Sequence, residues 1–404
     1  MATEDLSNRL KPLIRRAEHV VRMEDLEERL REDRPLRVKL GVDPTARDVT
    51  LGWAVPLRKL RDFQDAGHTA VLIMGDFTAR IGDPSGKSET RPQLSKEEVQ
   101  ANAEQCVEQL LDILSEENLE VRYNSEWLEA MDLPGLLKLT ANYTVAQMLE
   151  RDDFSKRYAA GRPISLVEFM YPLMQGYDSV AVEADVELGG TDQLFKLLVG
   201  RDLQRAYGQE PQVALTMPLL VGTDGSQKMS QSLGNYIGIR ETPEDIFGKV
   251  MSVPDHLVEQ YAALATSLSD EEIERLAGLA GSGGPQAGDA KRAVARGIVE
   301  QYHGRDAARR AEQAFDRQFK QHREPEEIPE ATLPEEAVND DGTVSLPAAL
   351  AALGLSSSRG EARRLMKQGG VRVDGEQIAA EEIERSRLVG AVLQVGRRKF
   401  VRIL

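Results

Sequence analysis

Two apolar runs, LRVKLGV at 36–42 and TAVLIMGDF at 69–77, bracket a stretch whose apolar residues fall at helical spacing. No feature of the sequence limits its fold more. The second run lacks polar alternation, as expected of a strand buried on both faces in a parallel sheet covered by helices. Between the runs, Leu51, Val55, Leu57, Leu60 and Phe63 mark the inward stripe of a helix that stops at Gly67. Parallel strands need a crossover of this kind, so the unit reads as βαβ. Further on, VAVEADVELGG turns into the helical TDQLFKLLVGRDLQRAYG, and VALTMPLLV supplies another strand. Strands alternating with helices over about 36–235 predict an α/β fold built on a doubly wound parallel sheet. Ligands of such sheets lie beyond the carboxyl ends of the strands, which puts 41–45, 75–80 and 189–193 at the expected site edge.

A chain of 404 residues is too long for one ordinary core, so two or three domains are expected. From 242 to 320 the strand signal disappears and the sequence reads as helical, with a flexible glycine-rich break at GLAGSGGPQAGD. The segment 322–342 is acidic, punctuated by proline and without apolar period, the character of a linker. Beyond it, 356–404 carries eleven Lys or Arg against six Asp or Glu, although the whole chain has a net charge of -16. Nucleic-acid binding is therefore expected only at the C-terminus. There, Ser358 and Glu361 are spaced as a capping box, Gly369 as a helix stop, and VRVDGEQI as a strand with an Asp-Gly turn. The charged N-terminus reads as a surface helix and not as a signal peptide, and no stretch reaches the length of a membrane span. One cysteine, Cys106, excludes an internal disulfide, and five scattered histidines make no visible zinc cluster. A cytoplasmic protein without a protein-bound metal is expected.

Three stretches carry candidate chemistry. GDPSGKSETR at 82–91 falls short of the GxxxxGK[ST] phosphate loop, because only three residues separate Gly82 from Gly86 and Pro84 lacks an amide proton. It remains a basic loop whose Lys87 and Arg91 could meet a polyphosphate, or an ordinary surface turn. TDGSQKMSQSLGN at 223–235 is a second lysine-bearing loop, equally open to either reading. YPLMQGYD is more specific: on a helix, Tyr171, Gln175 and Asp178 share one face at i, i+4 and i+7. Buried polar groups demand partners, so this face expects a ligand. GGTDQ adds Asp192 and Gln193 at a strand-to-helix turn of the same edge.

Taken in order, GVDPTA, GDFTARIGDPSGKSETRP, YNSEWL, TVAQMLERDDFSKRY, YPLMQGYDSV, GGTDQ, GRDLQRAYGQ and KMSQSLGNYIG resemble the bacterial tyrosyl-tRNA synthetases, class I enzymes with a Rossmann-like catalytic domain. The likeness is close over about 35–260, and the C-terminal module is similar to a small RNA-binding motif shared with ribosomal proteins. The resemblance implies a catalytic domain over 1–241, a helical tRNA-contacting domain over 242–321, the linker at 322–342 and an RNA-binding domain over 343–404. It implies tyrosine, ATP with Mg2+, and tRNA(Tyr) as substrates, and a homodimer. By motif, Asp83, Tyr171 and Gln175 match the cage for the substrate ammonium, Asp178 the acceptor for its phenol, and Gln193 a neighbour of both. Lys39 stands where one large branch of the family places a tyrosine against that phenol. Asp43 and Thr45 match positions beside the phosphate, and Asp192 the carboxylate for the ribose. Gly52, Gly190, Lys228, Met229, Ser230 and Ser232 fall along the nucleotide, and Lys87 and Arg91 match the mobile loop that meets pyrophosphate. The helix beginning near Leu51 would aim its positive end at ATP. In the RNA-binding module, Arg359, Arg363, Arg364 and Lys367 are the expected phosphate contacts.

Three positions depart from the family. Its His-hydrophobic-Gly-His signature reads Thr50-Leu51-Gly52-Trp53, and Gln231 replaces the second lysine of Lys-Met-Ser-Lys-Ser. Losing one donor to a transition-state oxyanion typically costs about 2.7–4 kcal/mol. Thr50 and Gln231 keep neutral donors, and Trp53 could stack on adenine. A ligase with a variant phosphate site is therefore expected, the alternative being a relative that binds tyrosine and RNA without efficient activation.

Overall fold

A computed structural model describes residues 2–44, 48–81, 95–319, 328–339, 341–396 and 399–404. The chain divides into two compact units, Met1–Arg305 and Asp306–Leu404.

In the first unit, six strands form one sheet: β1 (His19–Val21), β2 (Arg37–Val42), β3 (Thr69–Met74), β4 (Leu119–Tyr123), β5 (Val186–Gly190) and β6 (Val213–Met217). Their order is β1-β6-β5-β2-β3-β4, parallel throughout except for the antiparallel edge strand β1. The chain runs outward from β2 through β3 to β4, then returns to the other side of β2 to place β5 and β6. A crevice opens where that direction reverses, between β2 and β5. Val38, Leu40, Val71, Leu72, Ile73, Val186, Leu188 and Leu215 are buried, as the unbroken apolar runs require.

The crossover helix spans Leu51–Asp65 and packs on β2, β3, β5 and β6. Thr50 caps it by accepting the Trp53 amide proton, and Gly67 follows at φ 86°, the left-handed conformation that ends a helix cheaply only for glycine. The site helix, Leu166–Ala181, lies against Leu194–Ala206. They meet closely because a Cβ on Gly176 would stand 2.9 Å from Leu203 Cδ1 and 3.2 Å from the Gly200 amide.

The helical stretch after 242 differs from the expectation in two ways. It belongs to the first unit as far as Arg305, with Val258–Ala265 packed on the crossover helix. The glycine-rich break is short, since Asp270–Gly281 and Gly284–His303 are helices separated by two residues. Pro285 sits in the first turn, where its missing proton costs nothing, and alanines at 287 and 290 are buried.

The helix Arg305–Phe319 leads into the second unit. That unit holds β7 (Glu330–Ala331), β8 (Thr343–Ser345), β9 (Val371–Val373), β10 (Glu376–Gln377), β11 (Glu382–Glu384), β12 (Val392–Val395) and β13 (Lys399–Ile403). Five strands form one sheet in the order β10-β9-β12-β13-β7, and β11 pairs with β8. The described part of the stretch read as a linker is thus built into the fold: β7 runs parallel to β13, with Arg402 opposite Glu330. Ala331, Leu333 and Val338 pack on the unit's core, which the surrounding prolines and acids disguise in the sequence. Ser358 caps the helix Arg359–Lys367, but the Glu361 carboxylate takes the Ser357 amide at 2.6 Å, one residue earlier than a capping box requires.

Candidate active site

The carboxyl ends of β2, β3 and β4 deliver a chain of polar side chains to the site helix. Tyr171 donates its phenolic proton to Asp43 Oδ2 at 2.6 Å. Thr78 donates to the other Asp43 oxygen at 2.8 Å, and Asn124 Nδ2 donates to Thr78 Oγ1 at 3.0 Å. The same amide lies 3.4 Å from Asp178 Oδ2, and Trp127 Nε1 donates to Asp178 Oδ1 at 2.8 Å. Asn124 is itself fixed, accepting the Phe77 amide proton at 3.0 Å and donating its own to the Met74 carbonyl at 3.1 Å. Gly75 makes this possible: a Cβ there would fall 2.0 Å from Asp43 Oδ1 and 2.5 Å from Thr78 Oγ1.

Asp178 is 3% exposed. Burial drives its carboxyl up to about 7, against the pull of Lys39, Trp127 and Asn124, while Glu187 adds to the rise. A buried carboxylate poised near neutrality, with fixed donors on both oxygens and lone pairs to spare, suits acceptance of a proton from a neutral hydroxyl. Gln175, one turn before Asp178, is half-buried on the same helix. Lys196 Nζ stands 4.9 Å from the centre of the Tyr171 ring.

Lys39 is placed differently from the reading that set it against the substrate. It is fully buried, and its ammonium donates to the Gln175 carbonyl at 3.0 Å, Ser179 Oγ at 2.8 Å and Glu187 Oε1 at 2.9 Å. All three protons are taken within the protein, so Lys39 lies beneath the site face. Asp43, read as a neighbour of the phosphate, is bound to Tyr171 and Thr78 and so belongs to the polar chain.

Around the start of the crossover helix the geometry is also tight. Thr50 is 2% exposed, its oxygen occupied by the Trp53 amide at 3.3 Å. The hydroxyl thus caps the helix terminus and keeps its own proton to donate. Trp53 is half-buried. Leu51 donates its amide proton to the Ile237 carbonyl at 2.8 Å and Thr50 bridges Gly238, which ties the stretch just after the Lys-Met-Ser-Gln-Ser segment to this turn. Met229 packs on Gly52, where a Cβ would meet its side chain at 3.3 Å. Lys228 Nζ is paired with Asp192 Oδ2 at 2.7 Å, Gln231 donates to the Asp48 carbonyl, and Ser230 and Ser232 share a hydrogen bond of 3.0 Å. Gly190 lets the chain turn, since a Cβ would fall 2.7 Å from Leu219 and 2.9 Å from Asp192 Oδ1. Gln193 follows it, half-buried, at the start of the helix Leu194–Ala206.

Thr45, Asp83, Lys87 and Arg91 lie outside the described residues. Thr78, Asn124 and Trp127 were not singled out as site residues from the sequence. Asn124 and Trp127 stand at i and i+3 in YNSEWL, a spacing that puts an amide and an indole on one side of a turn, and that was the available signal. In the second unit, Arg359, Arg363, Arg364 and Lys367 are all exposed, while Ala362 and Met366 face the core. Arg363 is paired with Glu381 at 2.8 Å. Among the described residues, no group of three or more His, Cys, Asp or Glu could hold a metal ion, and no helix is long and apolar enough to cross a membrane.

Residues 31–320 match the tRNA synthetases class I (W and Y), and residues 344–381 match the S4 domain. The chain belongs to this class I synthetase family. Within it, the chain falls among the tyrosine–tRNA ligases. It is 50% identical to the tyrosine--tRNA ligase of Moorella thermoacetica over 99% of its own length and 96% of that protein. It is 49% identical to that of Carboxydothermus hydrogenoformans over 100% and 99%. Among solved structures, tyrosyl-tRNA synthetase complexed with L-tyrosine from Archaeoglobus fulgidus superposes with a TM-score of 0.62 at 25% identity, over 76% of this chain and 99% of that one.

Proposed function

We infer that this chain attaches L-tyrosine to tRNA(Tyr) in two steps, first forming tyrosyl-adenylate from ATP and then passing the tyrosyl group to the 3′ end of the tRNA. The observation that carries the reading is the fixed polar row on the site helix, with buried Asp178 at one end, Tyr171 at the other and Gln175 between them. Asp178 accepts the substrate's phenolic proton, while Tyr171 and Gln175, with Asp83, hold its ammonium. Phenylalanine would leave Asp178 buried without that partner, which is the physical basis for choosing tyrosine. ATP lies over the start of the crossover helix, whose positive dipole end faces its phosphates. Asp192 takes the ribose, and Lys228 leaves Asp192 for the phosphates as nucleotide enters. Catalysis is placement and charge, with no covalent enzyme intermediate. Mg2+ comes bound to ATP.

The C-terminal unit holds tRNA through Arg359, Arg364, Lys367 and, once freed from Glu381, Arg363. The chain works as a homodimer in the cytoplasm. In support of the dimer, Leu133, Leu137, Val145, Tyr158 and Leu166, from consecutive helices after β4, are all more than 60% exposed. Large apolar side chains left in water along consecutive helices are the material from which such an interface is built. Tyrosine-dependent exchange of labelled pyrophosphate into ATP tests the activity. Exchange with tyrosine and none with phenylalanine is expected, and its absence with pure protein and Mg2+ would remove the reading.

A further inference from the structure

Beneath the site helix lies a buried polar cluster that the reaction does not use directly. Lys39 on β2 and Glu187 on β5 are 0% and 1% exposed, and they face each other across the switch point of the sheet. Glu187 Oε2 also accepts from Ser179 Oγ at 3.1 Å and from Gln212 Nε2. The neighbouring helix leaves room for the cluster at Gly200, where a Cβ would stand 2.5 Å from Gln212 Nε2 and 3.2 Å from Glu187 Oε2. A buried ion pair is weak evidence for stability, since replacing it by apolar side chains is often neutral or better. Its place in the fold calls for another account. Lys39 grips the site helix at the Gln175 carbonyl and at Ser179, which flank Asp178 in the sequence.

We propose that Lys39 is a positioning residue for recognition of the substrate hydroxyl: untouched by the substrate, it anchors the site helix at Gln175 and Ser179, on either side of Asp178, and sets a buried positive charge beneath that carboxyl. The inference rests on the reading of this pocket as a tyrosine site. The groups facing Asp178 are Lys39 from β2, Glu187 from β5, Trp127 and Asn124 from the turn after β4, and, through Thr78, the Asp43–Tyr171 pair. Of the charged ones, Lys39 opposes protonation of Asp178 most strongly and Glu187 favours it less. A protonated Asp178 loses the charge that makes it a strong acceptor for a phenol. The cluster therefore sets the pH above which tyrosine is well held.

The test is calorimetric titration of the full chain with L-tyrosine between pH 5.5 and 8.5, with L-phenylalanine as the control that lacks the hydroxyl. Wild-type affinity for tyrosine should fall as pH drops through about 7. Glu187→Gln keeps the shape and removes the charge that favours protonation, so the midpoint should move down. Lys39→Met combined with Glu187→Gln removes both charges, leaves neither buried alone, and should move the midpoint above wild type by about 1 pH unit. Phenylalanine binding should show no such movement in any variant. Should the double variant fail to fold, as its thermal unfolding would reveal, Lys39→Gln combined with Glu187→Gln removes the same two charges, leaves two amides able to hydrogen-bond each other, and should move the midpoint the same way. Midpoints that stay at the wild-type pH while tyrosine is still preferred would overturn the role of Lys39 and leave the pocket reading intact. Failure of the wild type to bind tyrosine would instead strike the pocket reading.

Discussion

Replacing Asp178 by asparagine is expected to make the protein more stable and less able to choose its substrate. Holding the carboxyl at about 7 against an ordinary 3.8 means that the folded state binds a proton the unfolded chain has already released. Between pH 4 and pH 7, stability therefore falls as pH rises, and above pH 7 the loss levels off with both states ionised. Three pH units at about 1.4 kcal/mol each put the full cost near 4 kcal/mol, and a side chain this buried has little solvent to screen it. Asp178→Asn carries no charge at any pH and still accepts from Trp127. Its amide would, however, face the Asn124 amide, and an unmade buried hydrogen bond returns roughly 1–3 kcal/mol of the gain. The net expectation is about 1–3 kcal/mol of stabilisation at pH 8, shrinking to nothing or reversing at pH 4. The thermal unfolding of variant and wild type, followed at both pH values, measures this. A difference between the two proteins that does not change with pH would refute the reasoning, because it would show that Asp178 releases its proton at the same pH in the folded and unfolded chains.

Other outcomes follow from the same geometry. Trp127→Phe removes the 2.8 Å donor to Asp178 and should weaken tyrosine binding about tenfold or more while leaving phenylalanine binding nearly unchanged, as equilibrium titration will show. Gly75→Ala drives a methyl into Asp43 and Thr78, so tyrosine affinity should drop by about 100-fold or more even where circular dichroism shows an intact fold. Gln231→Lys restores a cation beside the helix start and should raise the rate of pyrophosphate exchange about tenfold, with tyrosine KM unchanged. Burial pushes the Cys106 thiol up to about 12, so thiol reagents at pH 8 should label the native protein far more slowly than the unfolded chain.

The sequence showed the parallel sheet because its strands are buried on both faces: an unbroken run such as Ala70–Met74 has few other places to go. The face of the site helix was equally plain, because three polar residues at i, i+4 and i+7 among apolar neighbours are a local signal. What could not be read was the set of partners. Asp178 meets Asn124 and Trp127 from the end of another strand, and Lys39 meets Glu187 from almost 150 positions away. Such pairings come from tertiary packing, and no periodicity carries them. Lys39 was therefore placed by resemblance against the substrate, where the fold puts it under the site helix. Composition misled at the acidic, proline-rich stretch before 342, where two residues suffice to add an edge strand and the surrounding prolines suit an edge. It misled again around Gly281–Gly284, where only two residues escape the helices on either side.

The account stands on the binding of one amino acid. Calorimetric titration of the full chain at pH 8 should give one L-tyrosine per chain, with L-phenylalanine weaker by at least about 100-fold and Asp178→Asn bringing the two ligands close together. Equal affinity of the wild type for both amino acids, or no heat with either, would contradict it.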